Sequence, residues 1–341
     1  MKYYLLYLSI RHVGLFYKVQ EVYFKMKRIL KSCFQIGCIC FVFLFCNCNL
    51  IAQTQESSAE IIYDPEISSP AYLKDKGPTI YLDEGHYNRH TYGGLGSFIA
   101  FRTVLSKDGY KVVSFKEQFT SNSLQKVRLM VIALAQNKRN LGDTNWTNPI
   151  YSAFKLSEII AIKKWVKKGG SLFLIVDHHP FAGAAKDLAK EFGFELFNGH
   201  ALDTIRDPSF FQRANKTLHS NIITNGRYST EKIDSIITFS GAAMKLSDDA
   251  KPILTFDNLW LQWLPDTAWQ FNNIEPTSIE GFSQGSFREF GNGKIVIFSD
   301  GNMFSAQDTD WGGKMGFIDP NAKYNYKLLL NIIHYLDGLL D

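Results

Sequence analysis

Cysteine is absent from most of this sequence. All five cysteines, from Cys33 to Cys48, lie in one apolar stretch, and the rest of the 341 residues contain none. A protein that begins after this stretch has no disulfide, no thiol nucleophile and no cysteine ligand for a metal. This excludes a zinc ribbon and a thiol enzyme for that part of the chain.

A basic excess is missing from the same part. The whole chain has a formal charge of +4, but residues 1–52 contain seven Lys or Arg and one acidic residue, so residues 53–341 have a net charge of −2. A general nucleic-acid-binding protein needs a cationic surface that neutralises phosphates. We therefore expect no nucleic-acid partner.

Residues 1–52 are predicted to be a leader and signal peptide, with residues 26–52 as the true signal. Starting at Met26, a basic segment precedes an apolar run of about eleven residues, and a cleavage junction follows Ala52. This run is too short to span about 30 Å of hydrocarbon comfortably. We expect export, cleavage near Ala52, contact with a membrane only during export, and a periplasmic or extracellular protein.

Residues 53–77, rich in Ser, Glu, Pro and Lys, are predicted to be a flexible linker, and residues 78–341 one α/β domain. Apolar strands are predicted at 79–83, 111–115, 129–135 and 171–176, alternating with helices at 97–107, 157–168 and 183–192. Ser157 is the predicted N-cap of the second helix. This alternation favours a mostly parallel sheet with helices on both faces.

The second half of the domain is predicted to be richer in strands. Strands are expected at 236–240, 253–256, 281–289 and 294–298, with Gly291–Gly293 as a hairpin turn before the last of them. An amphipathic helix over 325–340 closes the chain.

Three predicted strands end in an aspartate: Asp83, Asp177 and Asp300. Ligands of open parallel sheets bind outside the carboxyl ends of the strands, so these carboxylates are expected at one rim. Further polar side chains follow the same strands or a nearby turn, and we predict that they contribute to a ligand site: Glu84, His86, His90, His178, His179 and Asn198.

Two chemistries are open for this rim. Asp83, His86, Asp177 and His178 are candidate ligands of a divalent metal such as Zn²⁺, Mn²⁺ or Fe²⁺, which would activate water for hydrolysis. Without a metal, His178 is the candidate general base and Asp177 the group that orients it. The alternative is structural, because an aspartate after a strand caps turns and a buried histidine satisfies backbone groups.

Two further segments have a candidate role in binding. Residues 92–97 (YGGLGS) could hold an anion at a helix N-terminus, or be a loop that requires glycine. An aromatic belt could stack on sugar rings or form a lid over the sheet edge; its members are Phe256, Trp260, Trp263, Trp269 and Phe271.

Three segments resemble the class I glutamine amidotransferase-like superfamily: Tyr81–His86 (YLDEGH), Trp165–His178 (WVKKGGSLFLIVDH) and Gly293–Asp300 (GKIVIFSD). The resemblance covers residues 78–340. Within the superfamily, the chain is more similar to exported bacterial members of no assigned activity than to the trehalose-utilisation-like group. It implies a flavodoxin-like fold.

The same resemblance implies a cysteine nucleophile on the turn after a central strand, and this chain departs from that pattern. The matching turn, Asp177–Gly183, reads DHHPFAG. Glutaminase chemistry by the family mechanism is therefore excluded. We expect an exported domain that binds a polar ligand at the rim, either a carbohydrate or an envelope component such as an envelope protein, and we keep the metal-assisted hydrolase as the alternative.

Overall fold

The computed structural model describes residues 59–60, 63–90, 98–206, 209–309 and 313–340. All of them belong to one compact unit, Ser57–Asp341. The predicted leader and residues 53–58 lie outside the described residues. Within the described ranges, no helix is long and apolar enough to cross a membrane.

The described chain contains seventeen strands and five α-helices. The strands are β1 (Ala59–Glu60), β2 (Thr79–Asp83), β3 (Lys111–Phe115), β4 (Leu129–Ala133), β5 (Ser171–Ile175), β6 (Phe194–Leu196), β7 (His200–Asp203), β8 (Ser209–Gln212), β9 (Ser235–Thr238), β10 (Met244–Leu246), β11 (Lys251–Thr255), β12 (Trp260–Trp263), β13 (Thr277–Ser278), β14 (Ser283–Phe290), β15 (Gly293–Phe298), β16 (Ala306–Thr309) and β17 (Gly313–Gly316). The helices are α1 (Ile99–Lys107), α2 (Leu156–Lys167), α3 (Phe181–Lys190), α4 (Ile222–Asn225) and α5 (Asn325–Asp337).

Five parallel strands form the centre of the protein, in the order β3-β2-β4-β5-β15. Numbered along the parallel strands alone, this is the order 2-1-3-4-5 of flavodoxin-like folds. Helices α1 and α5 pack on one face of the sheet and α2 and α3 on the other. The predicted α/β fold with a mostly parallel sheet and helices on both faces is confirmed.

Antiparallel strands extend the sheet beyond β15, which confirms the β-rich second half. β14 pairs with β15 through a two-residue turn, Gly291–Asn292, and β10, β11 and β6 continue from it. Three smaller sheets surround this core: β1-β16-β17, β13-β12-β7 and β8-β9. The strand pair β7 and β12 lies beside the carboxyl end of β5, because the backbone N–H of His179 donates to Gly199 directly before β7.

The N-terminus of α2 differs from the prediction. The helix begins at Leu156 with Lys155 as its N-cap, so Ser157 lies inside its first turn. The reason is Glu158, whose carboxylate accepts a hydrogen bond from the Lys155 N–H at 3.0 Å. This acidic side chain satisfies an amide that the helix leaves unpaired, and it does so two residues before the predicted cap position.

Within the predicted linker, residues 59–60 form β1 and pair with β16, whereas residues 63–77 contain no helix or strand. Residues 63–77 nevertheless contact the domain. The Tyr72 hydroxyl donates to Asp337 at 2.6 Å, and the Ala71 N–H donates to Asp108 at 2.7 Å. Residues 71 and 72 are therefore attached to α5 and to the end of α1.

Candidate functional site

The loop after β2 is organised around the fully buried carboxylate of Asp83. Asp83 accepts hydrogen bonds from the Gly85 N–H at 3.1 Å, from the Asn88 side-chain amide at 3.0 Å and from His86 Nδ1 at 2.9 Å. The other ring nitrogen of His86, Nε2, lies 3.1 Å from the Glu158 carboxylate. We call Asp83, His86, Asn88 and Glu158 the β2 cluster.

His86 links two buried carboxylates as a cation. Burial alone lowers the pKa of His86, but hydrogen bonds to Asp83 and Glu158 outweigh it and raise the pKa to about 9. The pKa of Glu158 is lowered: burial opposes this shift, and the bonds from His86, Lys155 and Phe119 outweigh it. The ring also stacks on Phe119 at 4.6 Å. The β2 cluster therefore ties the end of β2 to the start of α2.

Two other predicted ligand-binding residues near β2 have separate environments. The Glu84 carboxylate pairs with Arg102 and lies 3.7 Å from Lys116 Nζ. His90 is buried, and its Nδ1 lies 3.1 Å from the Ala133 carbonyl. Burial lowers the pKa of His90 to about 4, so this ring is neutral. Residues 92–97, the glycine-rich segment, lie outside the described residues.

Asp177 and Asp300 follow the neighbouring strands β5 and β15 and are both buried. Asp177 accepts from the His178 N–H at 2.7 Å and the Gly301 N–H at 3.1 Å. Asp300 accepts from the Phe239 N–H at 2.7 Å and the Asn302 N–H at 2.9 Å. Burial raises the pKa of both carboxyls, and the charge of Asp177 raises that of Asp300 further.

The proposed pairing of His178 as a base with Asp177 as its orienting group is not formed. The His178 Nε2 to Asp177 Oδ1 distance is 4.0 Å, which is too long for a hydrogen bond. His178 Nδ1 instead donates to the His179 carbonyl at 2.6 Å. The Asp177 carboxylate orients backbone amides rather than the imidazole, because its oxygens accept from the His178 N–H after β5 and from the Gly301 N–H after β15.

His179 is fixed as a neutral ring. Its Nε2 donates to the Trp146 carbonyl at 3.0 Å, and its Nδ1 accepts from the Asn198 amide at 2.9 Å. Asn198 in turn accepts from the Gly183 N–H at 3.0 Å. Burial lowers the pKa of His179. The predicted pair His179 and Asn198 is thus brought together, with a role in holding the turn.

His200, at the start of β7, completes an imidazole pair. The rings of His178 and His200 stack with centroids 4.7 Å apart and planes 17° apart. Trp269 lies over both, with its ring centroid 4.6 Å from that of His178 and 4.2 Å from that of His200. We call His178, His179, Asn198, His200 and Trp269 the elbow cluster.

The surface of the elbow cluster is aromatic and its interior is polar. Trp269 is 41% exposed and has a φ of 64°, a left-handed conformation that is strained for a bulky residue. His200 is fully buried, and its Nδ1 has no hydrogen-bond partner among the described residues. Burial lowers the pKa of His200 well below its usual value. An unmatched buried polar atom is either a source of strain or a group that a bound water, ion or ligand would satisfy.

The predicted aromatic belt divides into two groups. Trp260 and Phe256 are buried and pack with Phe211 in the core. Trp263, Trp269 and Phe271 lie together beside His200. The sugar-stacking hypothesis therefore applies only to the second group.

The four predicted metal ligands do not form one centre. Among the described residues, no group of three or more His, Cys, Asp or Glu side chains is placed to hold a metal ion. The sheet explains this, because β4 lies between β2 and β5 and two strand spacings amount to about 10 Å. In addition, both ring nitrogens of His86 are already bound to Asp83 and Glu158. The residues present do not fit a shared divalent metal.

Two important residues were not among the predicted site residues. Glu158 is 72 positions from His86 and reaches it only because α2 begins behind β2. His200 lies in the segment 198–203 (NGHALD), where its position two residues after the predicted ligand Asn198 could have indicated a role in the site.

Two surface depressions, about 550 and 410 Å³ in volume, are both bordered by Arg227. Neither is lined by a residue of the elbow cluster.

Comparisons with known proteins support the fold and leave the activity open. No protein-family model and no curated protein matches the chain. Among solved structures, the mmIFT52 N-terminal domain aligns with a TM-score of 0.52 at 14% identity, covering 76% of this chain and 97% of that one. A ThuA-like protein from Bacteroides uniformis aligns with a TM-score of 0.42 at 10% identity, covering 80% and 94%. At 14% identity, the alignment with the mmIFT52 N-terminal domain shows a likeness of fold alone.

Proposed function

We propose that this is an exported protein that binds a neutral polar ligand, with carbohydrate as the favoured class, at the elbow cluster. The observation that carries the proposal is the stacked pair of His178 and His200 beneath the half-exposed ring of Trp269. An aromatic face bounded by polar groups is suited to a sugar ring, which has both an apolar face and hydroxyl groups.

The charge state of the rim supports a neutral ligand. The pKa values of His179 and His200 are lowered, so both imidazoles are neutral near pH 7. Burial raises the pKa of Asp177 to about 6 and that of Asp300 to about 8, so Asp300 carries little negative charge near pH 7. A charged ligand would lose its hydration there without a counter-ion, whereas hydroxyl groups can exchange hydrogen bonds with neutral imidazoles.

Glutamine hydrolysis is excluded from the proposal. The turn after β5 places Asp177, His178 and His179 where an amidotransferase has its cysteine, and the chain has no cysteine beyond Cys48. The described residues also offer no metal centre that would replace the thiol. An envelope component, including an envelope protein, remains the other ligand class to test.

Calorimetric titration with neutral oligosaccharides, acidic oligosaccharides and envelope-derived peptides tests the proposal. We expect binding of a neutral oligosaccharide and at least about tenfold weaker binding by Trp269→Ala, because the stacking face is lost. Tyr228→Ala is the matched control, since Tyr228 is also an exposed aromatic residue and does not contact the elbow cluster. Tight binding that is unchanged in Trp269→Ala would place the ligand elsewhere.

A further inference from the structure

The layer formed by α2 and α3 is strongly basic. Its seven cations are all lysines: Lys155, Lys163, Lys164, Lys167, Lys168, Lys186 and Lys190. Three acidic residues belong to the same segments: Glu158, Asp187 and Glu191. The layer therefore has a net charge of +4, although residues 53–341 as a whole have a net charge of −2.

The acidic residues offset part of this positive charge: Asp187 is exposed, and the other two have partners. Glu158 is buried against His86, and Glu191 pairs with Lys163 at 2.7 Å. Within the described ranges, the Lys163–Glu191 pair is the one ion pair that involves a lysine of this layer. The other six lysines are exposed.

Apolar side chains lie on the same outward face of α2. Leu156 is 71% exposed and Ile160 is 44% exposed. They are four residues apart, so they are adjacent on the helix surface, and Lys164 continues the stripe on the next turn. The opposite face, with Ile159, Ile162 and Val166, is buried against the sheet. Exposed leucine and isoleucine beside lysines form an amphipathic surface directed to solvent.

We propose that the α2–α3 face docks on an anionic lipid surface, with its lysines at the headgroups and Leu156 and Ile160 in the interfacial layer. Lysine is a compact, flexible charge that suits a diffuse plane of headgroups, whereas arginine is the usual choice for defined two-pronged contacts. Seven lysines and no arginine therefore favour a membrane over an acidic protein partner. This proposal departs from the expectation that the chain meets a membrane only during export.

The lysines at the C-terminal end of α2 precede the amino end of β5, whereas the elbow cluster begins after the carboxyl end of β5. The α2–α3 face covers one side of the sheet, whereas the elbow cluster lies at the carboxyl ends of β5 and β15. The inference does not depend on what the elbow cluster binds.

Vesicle co-sedimentation of the full chain tests the proposal. Vesicles of phosphatidylcholine alone are compared with vesicles of equal parts phosphatidylcholine and phosphatidylglycerol. The test variant carries Lys164→Glu, Lys167→Glu and Lys168→Glu. The matched control carries the same charge change at the exposed lysines Lys74, Lys314 and Lys323. Both variants retain the leader, so any contribution of the leader to binding is common to them.

We expect the anionic vesicles to bind the chain better, with at least about tenfold weaker binding by the test variant than by the control, and a marked loss at high salt. Leu156→Ser with Ile160→Ser should weaken binding further at high salt, where the apolar contribution remains. Equal binding by test and control variants would overturn the proposal. So would binding to soluble polyglutamate that is as strong as binding to anionic vesicles, because that result would indicate an acidic protein partner.

Discussion

The buried imidazolium of His86 makes the stability of this protein depend on pH in a defined window. The pKa of His86 is about 9 in the folded protein and about 6.5 in an unfolded chain. The folded pKa is the higher one, so the stabilisation is complete below about pH 6.5 and is lost as the pH rises through about 9. The difference corresponds to about 3 kcal/mol of unfolding free energy.

His86→Gln removes the charge and keeps a planar side chain of similar reach. Below about pH 6.5 we expect the variant to be less stable than the parent by about 3 kcal/mol or more, because Asp83 and Glu158 then remain buried without a cation. This difference should shrink as the pH rises through about 9, since the parent loses its proton there. Urea unfolding followed by tryptophan fluorescence, repeated across this pH range, measures it.

His219→Gln is the control for the His86 experiment. His219 is half-buried and its pKa is lowered by burial, so its removal changes the free energy of unfolding by an amount that does not vary with pH between about 6.5 and 9. Subtracting the free energy of unfolding of each variant from that of the parent at the same pH removes the contributions of all other titrating groups. If the free energy of unfolding of His86→Gln ran parallel to that of the parent across the whole range, His86 would not be a buried cation and the reasoning would be refuted.

Three other outcomes follow from the rim. The raised pKa of Asp300 makes its ionisation in the folded protein costly, so the free energy of unfolding of the parent should fall as the pH rises from about 4 to 8. Asp300→Asn should reduce this fall. Urea unfolding at several pH values tests the prediction. Gly241→Ala should destabilise the fold by more than about 2 kcal/mol, because the added Cβ would lie 2.1 Å from the Ser299 carbonyl oxygen and the residue has a φ of 122°. Thermal unfolding should show a lower Tm for this variant. An unchanged Tm would contradict the packing described. Trp269→Phe should retain more ligand affinity than Trp269→Ala in calorimetric titrations, because a smaller aromatic face remains.

Much of the sheet could be predicted because its strands are short apolar runs with clear ends. β2 and β3 have the predicted bounds, and the β14–β15 hairpin has its turn at the predicted glycines. The apolar run at 129–135 is typical of a strand buried on both faces, and every residue of β4 is buried, as is every residue of β5. Local pattern and burial agree in these segments, which is why the fold could be inferred.

The grouping of the site residues could not be predicted, because it depends on strand order. The sequence places Asp83, Asp177 and Asp300 at the ends of three strands. Only the order β2-β4-β5-β15 separates Asp83 from Asp177 and places Asp177 beside Asp300. The contact of His86 with Glu158 likewise depends on the direction of α2. Helix propensity and hydrophobic period contain no information on such long-range contacts.

The protonation state of the elbow cluster during ligand binding is the most direct test of the proposed function. Nitrogen-15 NMR of the imidazole rings distinguishes neutral from charged histidine and reports a new hydrogen bond at Nδ1. We predict that His179 and His200 are neutral at pH 7, and that a neutral oligosaccharide shifts the Nδ1 resonance of His200 in the parent and not in Trp269→Ala. A charged His200, or a bound ligand that leaves the His178 and His200 resonances unchanged, would contradict the account.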